Sequence, residues 1–192
     1  MRKISPNWLY FFGLLPALYA FILGATGNLG ADPVKEFEHF LGIWSVRLLI
    51  ITLFISPLRV LTSINLMRFR RAFGLLTFWY AFFHLIVYLT LDLRFNFQIF
   101  IEDLSSRPFI IFGMLAFFLL LLLALTSNNW SIKHFKKKWL WIHRLVYPAA
   151  LIIIIHFYMA RKLPQTDFFI YSALIILLLG FRVYQQIRKT TS

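Results

Sequence analysis

Six long apolar runs constrain this chain more than any other feature of its sequence. They cover about 8–24, 41–58, 73–91, 108–126, 140–160 and 168–181 of the 192 residues. A hydrocarbon core about 30 Å thick is crossed by about 20 helical residues, and the first five runs approach that length. None alternates polar with apolar residues as a barrel strand does, and backbone groups in lipid need partners within their own segment. We predict an all-α fold, a single transmembrane domain over residues 1–192 with six membrane-spanning helices.

Basic and acidic residues are concentrated in different connections between the apolar runs. If all six runs span the membrane, fourteen of the 20 Lys and Arg lie on one side and all seven acidic residues lie on the other. Because cytoplasmic loops are enriched in Lys and Arg, we predict that both termini are cytoplasmic. The basic set is Arg2, Lys3, Arg59, Arg68, Arg70, Arg71, Lys133, Lys136, Lys137, Lys138, Arg144, Arg182, Arg188 and Lys189. The acidic set is Asp32, Glu36, Glu38, Asp92, Glu102, Asp103 and Asp167.

Composition excludes several classes of protein. The net charge of +13 is explained by this sorting, so we do not expect nucleic acid as a partner. The chain has no cysteine, which excludes disulfides, iron–sulfur clusters, thiolate zinc sites and c-type haem attachment. Six spans leave no length for a soluble flavin or nicotinamide domain. The first run is longer than the 7–15 apolar residues of a signal peptide, so we expect a retained helix.

Three of the five histidines lie inside predicted spans, where an ionisable side chain is costly and therefore a functional candidate. They are His84 in the third span and His143 and His156 in the fifth. His84 and His156 lie at comparable depths, and two neutral imidazoles on different helices suit a b-type haem held between them. The alternative is a carrier or scaffold in which these histidines bond to other helices. His134 is expected to be a solvated surface residue, and the role of His39 stays open.

A second haem at His143 has a less complete ligand set. Thirteen residues separate His143 from His156, about 20 Å and about 220° around an ideal helix, although Pro148 could change that phase. The position 13 residues before His84 holds Arg71 instead of a histidine. His143 would therefore bind a second haem with a shared or non-histidine ligand, or leave it five-coordinate.

Three arginines are candidate cofactor-binding residues: Arg47, Arg144 and Arg71. Arg47 and Arg144 could pair with haem propionates, or their side chains could simply extend to the membrane interface. The acidic loop that contains Asp32, Glu36 and Glu38 could dock a partner or be solvated.

Several short motifs resemble the MsrQ family, formerly YedZ, over about residues 10–160. They are Gly30-Ala31-Asp32-Pro33-Val34, His39-Phe40-Leu41-Gly42, Arg70-Arg71-Ala72-Phe73-Gly74-Leu75, Ser106-Arg107-Pro108 with Gly113, Leu125-Thr126-Ser127, and Trp139 to Tyr147 followed by His156. The family supplies haem-binding membrane subunits to bacterial periplasmic methionine sulfoxide reductases. The resemblance implies the ferric reductase-like transmembrane superfamily, where histidine pairs on the third and fifth helices hold two b haems. This chain has only His84 on the third.

The resemblance also implies partners. Electrons would come from the quinone pool or a cytosolic flavin reductase and pass to a periplasmic molybdopterin catalytic subunit, with the chain in the bacterial inner membrane. Bound FMN is implied as well, at no identified residue. The predicted function is a b-haem electron-transfer subunit that is not itself the catalytic subunit. The alternatives are a transmembrane ferric reductase and a cofactor-free membrane carrier, although no acidic residue lies deep in a span as a carrier would need.

Overall fold

The chain folds into helices throughout its described parts. The computed structural model describes residues 7–160 and 165–191, with side chains up to residue 188. Its helices are α1 Asn7–Ala25, α2 Pro33–Thr62, α3 Met67–Val87, α4 Phe97–Ser106, α5 Pro108–Leu125, α6 Asn129–Phe135, α7 Lys137–His143, α8 Val146–Met159 and α9 Thr166–Thr191. A π-helical turn, Tyr88–Asp92, extends α3. Arg2 and Lys3, two members of the predicted basic set, lie outside the described residues, as does the side chain of Lys189.

Six of these units are long and apolar enough to cross a membrane within the described residues. They are α1, α2, α3 with its π-helical turn, α5, α7 together with α8, and α9. The prediction of an all-helical bundle with six spans is therefore confirmed. We name the two ends of the bundle by their loops: the acidic end holds residues 26–40, 92–107 and the start of α9, and the basic end holds residues 62–71 and 126–144.

Both ends of helix α2 are set by capping residues. Pro33 occupies the first turn, where its missing N–H costs nothing, and the Asp32 side chain caps the helix by accepting a hydrogen bond from the Lys35 backbone nitrogen at 3.3 Å. The Lys35 ammonium lies 2.9 Å from the same carboxylate. These hydrogen bonds from Lys35 hold the pKa of Asp32 below its ordinary value. At the other end Ser63 adopts a left-handed conformation with φ of 61° and stops the helix.

Two short helices, α4 and α6, are not predicted from the sequence because neither lies in a long apolar run. Each starts at an asparagine cap. Asn96 accepts hydrogen bonds from the backbone nitrogens of Gln98 and Ile99, and Asn128 accepts one from Ser131. Helix α4 packs on α5 at the acidic end.

Helix α2 is the centre of the bundle. It packs against α3, α9 and α1, while α5 pairs with α8 and also contacts α3. One buried cluster joins α2, α5, α8 and α9; its members are Val46, Leu49, Leu53, Ala116, Leu120, Leu123, Ala150, Ile153 and Ile175. A second joins α2 to α3 through Leu41, Leu48, Leu76, Tyr80 and Val87. Most of the remaining apolar surface faces outward, as expected for a protein surrounded by lipid.

The fifth span is interrupted between α7 and α8, just before Pro148. Because proline has no N–H, the Arg144 carbonyl has no partner four residues later, and it accepts the Tyr147 backbone nitrogen at 3.0 Å instead. The interruption lies between His143 and His156, so the ideal-helix phase of 13 residues does not apply to this span.

Another proline leaves a carbonyl open in α2. Pro57 cannot donate to the Leu53 carbonyl, which is buried in the centre of the bundle. Arg182 of α9 fills the gap: its Nη2 donates to the Leu53 oxygen at 2.8 Å, and its Nη1 donates to the Tyr147 hydroxyl at 3.3 Å. The last helix thus completes the backbone hydrogen bonding of the second.

Candidate functional site

A cavity of about 450 Å³ opens between α2, α3, α5 and α8 towards the acidic end. This volume is within the range of ligand pockets in proteins, about 300–1,000 Å³. Its walls are mainly apolar, formed by residues such as Ile43, Val46, Ala81, Leu120, Ile153 and Phe157. Its rim is polar and includes Lys35, Glu36, Glu38, His39, Asp92 and Arg107. His84 and His156 both line the cavity.

His84 of α3 is fixed by a carbonyl of α2. Its Nδ1 lies 2.8 Å from the Glu38 carbonyl oxygen. Four residues further along α2 stands Gly42, where an added Cβ would lie 3.3 Å from that Nδ1. Because each Cβ in a helix leans towards the N-terminus, the Cβ of residue i+4 stands beside the carbonyl of residue i. Glycine at position 42 therefore leaves the imidazole room to reach the carbonyl.

His156 of α8 is held in the same way by α5. Its Nδ1 lies 2.8 Å from the Phe109 carbonyl oxygen, and the residue four positions later is Gly113. A Cβ on Gly113 would lie only 2.8 Å from His156 Cε1, closer than side chains normally approach. Two histidines on two helices thus use one arrangement, a carbonyl followed four residues later by a glycine on the neighbouring helix.

These hydrogen bonds determine which ring nitrogen is available. A carbonyl oxygen can only accept, so Nδ1 of each imidazole carries the proton and Nε2 keeps its lone pair. In metal sites the second ring nitrogen of a ligating histidine usually makes this kind of bond, which fixes the tautomer and the ring orientation. The nearest carboxylate oxygen, Glu38 Oε1, is 3.9 Å from His84 Nε2, beyond hydrogen-bond distance.

The separation of the two rings fits a single metal centre. Their centroids are 6.2 Å apart, and two imidazoles bound at about 2 Å on opposite sides of one metal have ring centres about 6 Å apart. No group of three or more His, Asp or Glu side chains suitable for a bare ion occurs in the described parts of the chain. Two histidines in an apolar cavity would suit a haem, whose porphyrin would supply the remaining donors.

His143 has different surroundings. Its Nε2 lies 3.2 Å from Thr126 Oγ1, and its ring stacks on Trp139 with centroids 4.0 Å apart. The Thr126 hydroxyl donates to the Leu122 carbonyl at 2.7 Å, so it accepts from His143 and the proton of that imidazole lies on Nε2. The Trp139 indole also donates to the Thr126 carbonyl at 2.9 Å. His143 does not line the cavity between His84 and His156.

The three candidate arginines lie away from this cavity. Arg47 donates from Nε to the Tyr171 hydroxyl at 2.8 Å, in a contact between α2 and α9. Arg144 lies over the ring of Trp141, and Arg71 donates to Asn129 at 2.9 Å at the basic end. None of the three lines the cavity.

The other two histidines, His39 and His134, have different surroundings from each other. His39 is part of the cavity rim. His134 is exposed and stacks on Trp130 with centroids 4.7 Å apart, which agrees with the prediction of a surface residue.

Gly42, Gly113 and Arg107 stand in the motifs that resemble the MsrQ family, but the sequence alone assigns them no role in a site. The two glycines carried a usable signal, since an isolated glycine inside an apolar helix usually marks a close approach. Arg107 gave a weaker one, because a basic residue beside Pro108 at a helix start is ordinary.

Comparison with known proteins supports the same fold. Residues 41–154 match the family model described as ferric reductase like transmembrane component. Proteins from Brucella ovis, Brucella canis and Brucella suis, each named "Protein-methionine-sulfoxide reductase heme-binding subunit MsrQ", are 48% identical to this chain over 182 residues. The alignments cover 95% of this chain and 83% of each relative. The chain is a multi-pass membrane protein that belongs to the MsrQ family of ferric reductase-like transmembrane components.

Proposed function

We propose that this chain is a b-type haem subunit that transfers electrons across the bacterial inner membrane to a periplasmic methionine sulfoxide reductase. The observation that carries the proposal is the pair formed by His84 and His156. Their Nδ1 atoms are committed to backbone carbonyls, and their rings are 6.2 Å apart in an apolar cavity. The names of the Brucella relatives, which describe a haem-binding subunit of a protein-methionine-sulfoxide reductase, support the same function.

When bound, a haem would supply reversible one-electron chemistry at its iron. His84 and His156 would hold it through Nε2, in the tautomer that the Glu38 and Phe109 carbonyls impose. Those two hydrogen bonds also make the imidazoles stronger donors and restrict their rotation. The apolar walls, including Ile153, lower the effective dielectric constant around the two imidazoles.

The direction of transfer follows from the charge sorting. Cytoplasmic loops are enriched in Lys and Arg, so the basic end would face the cytoplasm together with both termini. Electrons would then enter at the basic end from the quinone pool or a cytosolic flavin reductase. They would leave at the acidic end, close to His84 and His156, for a periplasmic molybdopterin catalytic subunit. A second haem at His143, on the basic side, belongs to the same proposal, and so does a bound FMN at no identified residue.

Histidine substitutions test the haem site. We expect His84→Ala and His156→Ala each to abolish the same low-spin haem signal, with the double variant no worse than either single one. The control is His134→Ala, which removes an exposed histidine from the same chain. Pyridine haemochrome quantification and redox-titrated visible spectra would measure the loss. Full haem content in His84→Ala, or a loss in the control His134→Ala as large as that in His84→Ala and His156→Ala, would overturn the assignment.

The absence of native cysteine allows a clean test of orientation. A single cysteine at exposed Asn28, at the acidic end, should react with a membrane-impermeant maleimide in spheroplasts. One at exposed His134, at the basic end, should react only after the membrane is opened. The opposite labelling pattern would reverse the proposed direction of electron flow.

A further inference from the structure

The cations that line the cavity all lie at its rim on the acidic end. Apart from histidines, the only basic side chains among the described lining residues are Lys35 and Arg107. Lys35 is already paired with Asp32, 2.9 Å away. Arg107 stands between α4 and α5, and its side chain is 53% exposed.

Arg107 is oriented by an ion pair with a buried carboxylate, that of Asp103. Its Nε lies 3.1 Å from Asp103 Oδ1, and the Tyr88 hydroxyl donates to Asp103 Oδ2 at 2.9 Å. Asp103 is only 5% exposed and does not line the cavity, whereas Tyr88 and Arg107 both do. A buried carboxylate is tolerated when several donors satisfy it, and here two side chains of the cavity wall provide them.

This arrangement leaves the outer part of the guanidinium available. In the described part of the chain the Arg107 guanidinium makes its ion pair through Nε, while Nη1 and Nη2 make no other described contact. Arginine presents five N–H donors in a planar fork that matches a carboxylate in a two-bond geometry. The neighbouring rim residues Glu36, Glu38 and Asp92 are acidic and would repel an anionic group. Such a group therefore needs the Arg107 guanidinium to bind at this rim.

We propose that Arg107, oriented by Asp103, binds a propionate carboxylate of the haem and so directs the propionate edge towards the acidic end. This inference rests on the proposed haem function. It assigns to Arg107 the part that the sequence suggested for Arg47 or Arg144, neither of which lines the cavity. Asp103 is a positioning residue, because it acts on the propionate only through Arg107.

The test compares haem with its dimethyl ester, which lacks the carboxylate charges. Full-length protein from haem-depleted cells, in lipid nanodiscs, is titrated with each compound. A charge-assisted hydrogen bond is worth roughly tenfold or more in affinity, so the wild type should prefer haem over the ester by about that factor. Arg107→Gln should lose most of this preference while it keeps the low-spin spectrum of the two histidines. Arg107→Lys should restore part of the preference, and Asp103→Asn should weaken it less than Arg107→Gln does.

The matched control is Arg94→Gln, an exposed arginine on the same end that does not line the cavity. A second readout is the midpoint potential: removing the cation stabilises the ferric form, so Arg107→Gln should lower the potential and Arg94→Gln should not. Equal affinity of the wild type for haem and ester, or equal behaviour of the two Arg→Gln variants, would overturn the inference with the haem site intact. A wild type without any low-spin haem would instead overturn the proposed function. If Arg107→Gln fails to fold, the wild-type ester comparison and Arg107→Lys still decide.

Discussion

The histidines at the two ends of the bundle use different ring nitrogens for their hydrogen bonds to the neighbouring helix. At the acidic end His84 and His156 bond through Nδ1 to carbonyls, and glycines on the neighbouring helices make room for both rings. At the basic end His143 bonds through Nε2 to a hydroxyl and has one face covered by Trp139. The first arrangement leaves Nε2, at the far end of the ring, free for a metal. The second leaves only Nδ1 without this bond, and Nδ1 lies next to the backbone. A metal could therefore bind His143 through Nε2 only if the contact with Thr126 were broken.

All three histidines lie in spans, so depth in a membrane does not distinguish the two environments. They differ in which ring nitrogen the neighbouring helix occupies and in whether that helix leaves space. The following changes break or sharpen this contrast, ordered by the size of the effect that we expect.

The largest effect should come from Gly113→Ala. Its methyl group would lie 2.8 Å from His156 Cε1, so the ring must move away from the Phe109 carbonyl. We expect at least about a tenfold loss of low-spin haem per protein, and a smaller loss for Gly42→Ala, where the corresponding distance is 3.3 Å. The control is Gly180→Ala in α9, which has nothing within 4 Å of its added methyl. Haemochrome assays measure all three, and an unchanged Gly113→Ala would refute the role of the glycine.

His143→Ala should have a selective effect. We expect the loss of a separate spectral component, or slower reduction from the basic side, while the signal of His84 and His156 is retained. The reason is that His143 does not line their cavity. Redox-titrated spectra and stopped-flow reduction would measure it. Disappearance of the His84–His156 signal in this variant would show that the two ends are one site.

Trp139→Phe tests the basic end without touching a metal ligand. Phenylalanine keeps a ring to stack on His143 but loses the indole donation to the Thr126 carbonyl. We expect about 1 kcal/mol less free energy of unfolding in detergent and unchanged low-spin haem spectra. A spectral change at the acidic end would contradict the separation of the two regions.

The smallest effect should come from Arg47→Gln. Its hydrogen bond to Tyr171 contributes about 1 kcal/mol or less to stability, and it does not line the cavity. We expect haem affinity to change by less than about twofold. A tenfold loss of affinity would restore Arg47 as a propionate partner and weaken the assignment to Arg107.

Features that depend only on position along a helix could be predicted from the sequence. The six spans follow from run length, and His84 and His156 follow from their similar depths; the structure brings these rings to 6.2 Å, while their role as ligands remains a prediction. Depth counting does not show which way a side chain faces. In uniformly apolar helices such as α5, periodicity gives no face, so Gly113 could not be matched to His156.

The same limit explains the arginines. Arg47 has a suitable depth but faces α9, whereas Arg107 lies in a helix-to-helix connection that no span analysis would single out. The short α4, which carries Asp103, was missed for the same reason. The parts of the site that escaped prediction are those set by rotation of helices and by loops.

The hydrogen bond from Arg182 to the Leu53 carbonyl has a consequence for biogenesis. The two residues are 129 positions apart in the chain. At roughly 5–20 residues per second, a ribosome needs on the order of ten seconds to make that stretch. During this time α2 has a backbone acceptor that lipid cannot satisfy, so an incomplete chain differs chemically from a finished one. Insertion of the last helix ends that difference, because Arg182 then supplies the donor that Pro57 cannot give to the Leu53 carbonyl.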